Sequence, residues 1–394
     1  MTDFNCLQAS PTDEFIPLIE PEIRGNEWKY VKECLETGWV SSAGTFVDRF
    51  EHLIAQHCGC RQAIATVNGT SALHVALLVA GVQPDDEVLV STLTFIAPVN
   101  AIRYVGAWPV FVDAEPDYWQ MDPVRVVEFL EEECRWNKGV LYNRQSGRRV
   151  SAIVPVHVLG HPVDLDLILM VAQKFGLKVI EDATEGLGAT YKGRPLGSIG
   201  DIGCFSFNGN KIITTGGGGM IVTSNEEWAQ KAKYLTTQAK DDPIEYVHRE
   251  IGYNYRLTNV QAAIGCAQME RLDAYVAAKR QIADRYSLAL CDVPGVVPMR
   301  QALWAMSTFW MYTVLIKEEM FGINSRHLLR ALAAQNIQSR PLWQPIHQSP
   351  AHALSRTGAL PVSEGLSNEA LSLPCSVGLS EDAQIRVLRQ LCRR

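Results

Sequence analysis

Between Cys60 and about Val222 the chain alternates short apolar runs with longer helix-like segments. The runs QAIAT (62–66), EVLVS (87–91), PVFVD (109–113), SAIVPV (151–156), KVIED (178–182), IGCFSF (202–207) and GMIVT (219–223) predict strands. Between several of them lie SALHVALLVAG (71–81), PVNAIRYVG (98–106), DPVRVVEFLEEE (122–133) and DLDLILMVAQKFG (164–176), which read as helices. Strand followed by helix, repeated, predicts an α/β fold with a mainly parallel sheet covered on both faces. From Asn259 to about Leu290 the pattern becomes one or two long helices. Beyond Pro294 the period shortens and Pro and Trp increase, which predicts a smaller C-terminal α+β domain. Its best strand is FWMYTVLI (309–316) and its best helix SRHLLRALAAQN (325–336). The expected division is an N-terminal arm (1–25), a large domain (26–258) entered through EWKYVKECLETG (27–38), a linking helix (259–293) and a small domain (294–394).

At 394 residues, with 47% hydrophobic and 20% charged, the chain has the balance of a globular protein with a sizeable core. The formal net charge is −7, and no basic block occurs outside the Arg393-Arg394 end, so a nucleic-acid surface is not expected. The opening MTDFNCLQASPTDEF has neither the basic nor the apolar region of a secretory signal. No apolar run reaches the ~18 residues of a membrane-spanning helix. Ten cysteines are scattered singly apart from Cys58-Gly59-Cys60, with no CxxC pair and no zinc spacing. The expectation is a reduced, cytoplasmic protein without a metal or membrane partner.

In an open α/β sheet, ligands sit at the carboxyl ends of strands, where helix N-termini present free N–H groups. Asn68-Gly69-Thr70-Ser71 stands at such an end, a phosphate cradle or an ordinary helix cap. Glu181-Asp182-Ala183-Thr184-Glu185 follows the run KVI and places a carboxylate suited to a ribose, a metal or a protonated ring nitrogen. Next come Ser206 and Phe207, then Lys211, then the four glycines 216–219 leading into a strand. A P-loop has its glycines first and its lysine opening a helix, so the order here excludes it. A lysine held on a loop among apolar side chains is instead a usable amine nucleophile. Pyridoxal phosphate needs such a lysine, a carboxylate for its pyridinium nitrogen and a phosphate cradle, and the chain offers Lys211, Asp182 and Gly69-Thr70-Ser71. A further polar, aromatic stretch, GYNYRLTN (252–259), precedes the long helix.

NGTSALHVALLVAGV, TFIAPVNAI, PVHVLGHPVDLD, EDATEGLGATYKG, GDIGCFSFNGNKIITTGGGGMIVT and GYNYRLTNVQAAIGCAQMERLD resemble, in order, the DegT/StrS-type sugar aminotransferases. PLWQPIH (341–347) extends the likeness into the small domain. The wording NGNKIITTGGGGMIVT, with GNEWKYVKECLETGWVSSAGTFVDRFE (25–51), is most similar to the branch serving legionaminic acid and bacillosamine-type 4-amino sugars. The resemblance implies the aspartate-aminotransferase (fold type I) architecture and pyridoxal 5′-phosphate as cofactor. It implies that Lys211 links to the cofactor and shuttles the reaction's proton. Asp182 would pair with the pyridinium nitrogen, Thr70, Ser71 and Ser206 would bind phosphate, and Phe95 would stack on the ring. Asn254 would reach the cofactor phosphate of a neighbouring subunit, making a homodimer with shared sites. Many relatives carry Gln where Glu185 stands, to bond the cofactor's phenolic oxygen, so Glu185 is a departure from the pattern.

His157 stands at a strand end, where it either lines the pocket or is a buried structural histidine. The implied reaction moves an amine from L-glutamate to the C4 ketone of a 4-keto-6-deoxy sugar nucleotide. A wide site is then expected, with Trp39, Arg340, Trp343 and His347 as candidates near the substrate's diphosphate. The preferred substrate is a UDP-linked 2-acetamido-4-keto-2,6-dideoxyhexose, the alternative a GDP-linked, perosamine-type sugar. A catalytically silent binding relative would have no need of Lys211 and Asp182. In the branch that removes a sugar 3-hydroxyl, a histidine would stand in place of Lys211.

Overall fold

The computed structural model describes residues 14–242, 244–355 and 358–392. The first thirteen residues of the expected arm and the Arg393-Arg394 end lie outside the described residues. All seven apolar runs become strands of one sheet: β1 (Gln62–Thr66), β2 (Glu87–Ser91), β3 (Trp108–Val112), β4 (Val150–Val154), β5 (Lys178–Asp182), β6 (Ile202–Ser206) and β7 (Gly219–Thr223). Their order across the sheet is β1-β7-β6-β5-β4-β2-β3. β6, β5, β4, β2 and β3 run parallel, while β7 pairs antiparallel with both β1 and β6. Successive side chains point to opposite faces of a strand, and a strand covered on both faces reads as a continuous apolar run. Thus Val88 and Val90 of β2 join one core and Leu89 the other.

One face is covered by α1 (Glu27–Thr37), α2 (Thr45–Cys58), α6 (Leu165–Phe175) and α8 (Asn259–Met269), through Phe46, Phe50, Ile54, Val171 and Cys266. The other carries α3 (Gly69–Val79), α4 (Ala97–Tyr104) and α7 (Glu226–Thr236), through Leu73, Leu77, Val99, Ile102 and Leu235. Asn68 caps α3 by accepting the Ser71 N–H at 2.8 Å. The segment predicted as one helix over 122–133 ends sooner: α5 (Pro123–Glu128) passes through a π-turn into a hairpin of Cys134–Asn137 and Val140–Asn143. Lys138 and Gly139, with φ 49° and 81°, form its left-handed turn.

The long C-terminal pattern resolves into two helices, α8 and α9 (Leu272–Leu290). A second sheet of four strands follows, β8 (Val296–Pro298), β9 (Tyr312–Ile316), β10 (Arg340–Pro341) and β11 (Ala370–Leu373), in the order β8-β9-β11-β10. α10 (Ser325–Ala333), α11 (Pro361–Glu369) and α12 (Glu381–Cys392) complete this smaller α+β part. The described end of the expected arm docks on it: Ile16 bridges Ile337, its N–H bonding the Asn336 carbonyl at 2.8 Å. Nine cysteines are free and six of them buried among the described residues. No helix of the described residues is long and apolar enough to cross a membrane.

Candidate active site

The sheet order reverses between β2 and β4, because β2 leads outward to β3 while β4, β5 and β6 build in the other direction. The carboxyl ends of parallel strands at such a reversal leave a crevice. A cavity of about 340 Å³ lies there, and each strand end contributes to it: Phe95 after β2, Val156 after β4, Asp182 at the end of β5 and Ser206 at the end of β6. Gly69 and Thr70 close it on one side at the N-terminus of α3. The first N–H groups of a helix have no intrahelical partner, so this corner is suited to an anion.

Gly69 is there for room. A Cβ at this position would sit 2.8 Å from the Ser206 Cβ and 3.2 Å from the Thr184 Cγ2. Ser71, by contrast, is buried behind the corner and gives its N–H to the Asn68 cap. Gly69→Ala should therefore push the helix start away from Ser206 and weaken cofactor phosphate binding by about 10- to 100-fold, a loss of roughly 1.4–2.8 kcal/mol. Equilibrium titration of the purified variant with pyridoxal phosphate reads this directly; unchanged affinity would exclude this corner as the cradle.

The loop 207–218 is pinned at both ends, Phe207 donating its N–H to the Gly218 carbonyl at 2.9 Å and accepting from the Thr215 N–H at 3.0 Å. Gln261 on α8 holds the Gly217 carbonyl at 2.6 Å. The glycine run serves this closure: Gly216 takes φ 77°, and a Cβ on Gly219 would meet the Asn68 backbone at 2.5 Å. Lys211 projects from this loop into the cavity. Its Nζ lies 4.2 Å from the Trp310 ring centroid and 3.5 Å from Glu185 Oε1. The seating differs from the wholly apolar one expected, because a carboxylate shares it.

Asp182 is 2% exposed, and its Oδ1 accepts the Thr184 N–H at 3.1 Å. Burial pushes its carboxyl up from the usual range, against the pull of the Thr184 hydrogen bonds and the Lys211 charge. Burial likewise raises Glu185, which Lys211 and the Leu159 N–H pull down. A buried carboxylate is costly without a cation or donor beside it. A protonated ring nitrogen over Asp182, a phosphate at Gly69-Thr70 and an amine between them are what this donor set fits.

Trp343 also lines the cavity, together with Trp310, which sequence reasoning assigned only to a strand. Arg340 does not; with Trp343 it borders an adjoining cavity of about 320 Å³. Four further candidates lie off the wall. His157 is fully buried: its Nδ1 accepts the Val163 N–H at 3.1 Å and its Nε2 lies 3.1 Å from Glu181 Oε2. Glu181 in turn accepts N–H bonds from Gly197, Ile199 and Gly200. His347 uses both ring nitrogens as well, on Thr92 Oγ1 at 2.7 Å and Glu364 Oε1 at 3.0 Å. Trp39 is largely exposed, its carbonyl held by the Asn259 side chain at 2.7 Å. Asn254 is exposed, and its Oδ1 accepts from Arg256 at 3.2 Å.

The sheet, the crevice at its reversal and the smaller C-terminal part define a pyridoxal-phosphate enzyme of fold type I. Residues 21–392 match the DegT/DnrJ/EryC1/StrS aminotransferase family, and the chain belongs to it. It is a transaminase using pyridoxal 5′-phosphate, in a family acting on sugar nucleotides. A GDP-perosamine synthase of Caulobacter vibrioides is 41% identical over 377 residues, covering 95% of this chain and 97% of that one. One from Escherichia coli O157:H7 is 37% identical over 378 residues, with 96% and 98% covered. Among solved structures, S. venezuelae DesV in complex with a ketimine intermediate has a TM-score of 0.84 at 29% identity, covering 93% of this chain and 94% of that one.

Proposed function

We propose that the protein transfers the amino group of L-glutamate to the C4 ketone of a GDP-linked 4-keto-6-deoxyhexose, giving a 4-amino sugar nucleotide for a surface glycan. The observation that carries the transamination is the meeting of Lys211, Asp182 and the α3 N-terminus in one cavity. The choice of a GDP sugar rests on likeness to GDP-perosamine synthases. The acetamido-sugar branch expected from the sequence draws no support from those relatives.

Bound in the cavity, pyridoxal phosphate supplies an electron sink that lets a C–N bond move from an amino acid to a ketone. The N-terminus of α3 and Ser206 hold the phosphate, and Asp182 keeps a proton on the ring nitrogen. Phe95, on the cavity wall, would pack against the ring. Lys211 Nζ would hold the cofactor, and as the amine on the cavity wall it would move the proton between the donor's Cα and sugar C4. Trp343, beside Trp310, walls the sugar side, and Arg340 meets the diphosphate from the adjoining cavity. Asn254, exposed and away from its own cavity, acts in the site of a second copy. The exposed Trp28, Trp39 and Ile251 are apolar surface available to such a dimer.

The test is an assay of the purified protein with L-glutamate and either keto sugar, reading 2-oxoglutarate release. The GDP-linked 4-keto-6-deoxyhexose is expected to exceed the UDP-linked acetamido sugar by at least ~100-fold in kcat/KM, about 2.8 kcal/mol of discrimination. The reverse ranking would return the reading to the acetamido branch. In light scattering, a protein that turns over as a monomer would remove the shared site.

A further inference from the structure

Among the described residues, Glu185 is the one carboxylate paired with the Lys211 amine. Its Oε1 lies 3.5 Å from Lys211 Nζ, while its Oε2 accepts the Leu159 N–H at 2.8 Å. That second bond fixes the carboxyl, so it cannot swing away from the lysine. Leu159 adopts φ 62°, a left-handed conformation that costs a leucine about 1 kcal/mol or more. The turn is held by its surroundings, since Gln120 accepts the Val158 N–H at 2.9 Å and the Gly160 carbonyl accepts the Thr308 N–H at 3.1 Å. The amine also lies 4.2 Å from the centroid of the Trp310 ring, which offers no proton acceptor, and Trp310 is itself fixed by its Nε1–H to the Asn210 carbonyl at 2.7 Å.

We propose that Glu185 is the proton acceptor for Lys211: the Nζ ammonium passes a proton to Oε1, leaving a neutral amine beside a neutral carboxylic acid. The step balances within the pair, one N–H bond breaking and one O–H bond forming, with no exchange with solvent. It rests on the reading of Lys211 as the amine that binds the cofactor. A lysine amine is ordinarily an ammonium at neutral pH and has no lone pair with which to attack an aldehyde. Burial also favours the neutral pair over the charged one, and it raises the Glu185 carboxyl toward accepting the proton. The other ionisable group facing the pair is Asp182, whose charge also favours protonation of Glu185. Behind Asp182, His157 is occupied with Glu181 and Val163.

A proton moved within a pair makes the neutral amine's population independent of pH between the two groups' titrations. Without the acceptor, the amine must lose its proton to solvent, and the reactive fraction rises about tenfold per pH unit. The experiment is uptake of pyridoxal phosphate by the full-length, cofactor-stripped protein, followed by absorbance from pH 6 to pH 9. Wild type should show a nearly flat second-order rate constant. Glu185→Gln keeps an acceptor for the Leu159 N–H but has no site for the proton. Its rate should be at least tenfold lower at pH 7 and climb steeply with pH. Glu185→Asp, which retains a carboxylate, should restore the flat profile at a reduced rate. A Glu185→Gln profile that superimposes on wild type, or a Glu185→Asp profile as steep as that of Gln, overturns the inference. Failure of the wild-type protein to take up the cofactor at Lys211 would instead sink the underlying reading.

Discussion

Lys211→Ala is expected to lower transamination by at least ~10⁴-fold, because no other amine among the described residues lines the cavity. The visible band of a lysine-bound cofactor should disappear, while pyridoxal phosphate still binds through the α3 corner and Asp182. The variant should also expose the cost of the buried carboxylates. Lys211 pulls down both Asp182 and Glu185, each of which burial raises. A carboxyl whose folded pKa stands above its unfolded value contributes stability in acid that is lost as pH rises from about 4. Removing Lys211 raises the folded values further and widens that loss. Unfolding free energies from denaturant titration at pH 5 and pH 8 should separate the two proteins mainly at pH 8, by about 1–3 kcal/mol. Residual turnover within tenfold of wild type would show that Lys211 is not the nucleophile.

The sheet was legible because strands buried on both faces carry unbroken apolar runs, and those same runs end in the residues that line the crevice. Lys211, Asp182 and Gly69, which the structure brings to one cavity, stood out in the sequence because each lies at or just beyond a strand end among polar or glycine residues. Trp310 did not. In FWMYTVLI it reads as strand, yet Phe309 takes φ 49° and the strand begins only at Tyr312, so the indole turns toward Lys211. α2 carries a clear apolar stripe, Phe46, Val47, Phe50 and Ile54, but its segment was taken up for its resemblance rather than its periodicity. The hairpin after α5 was hidden by the acidic run FLEEE, which has helical propensity but unwinds into a π-turn. His157 and His347 show the limit of residue type: sequence places them near the site, and only hydrogen-bond partners reveal both nitrogens already in use.

Asp182→Asn tests the other half of the site. The amide is isosteric and can still accept the Thr184 N–H with its oxygen, so the strand end should keep its shape and the variant should fold. What it loses, on the role proposed for Asp182, is the negative charge that would stabilise a protonated ring nitrogen and so the ring's capacity to take up electrons. Electrostatic stabilisation of this kind is worth about 10²- to 10³-fold per group in a dry site, and Asp182 is only 2% exposed. The expected result is a fall of about 10³-fold in kcat with a small change in glutamate KM, since the charge acts on the transition state more than on binding. A rise in KM with kcat preserved would mean that Asp182 only helps to hold the cofactor in place. Asp182→Glu should not rescue the rate, because the extra methylene moves the carboxylate out of the position from which it accepts the Thr184 N–H.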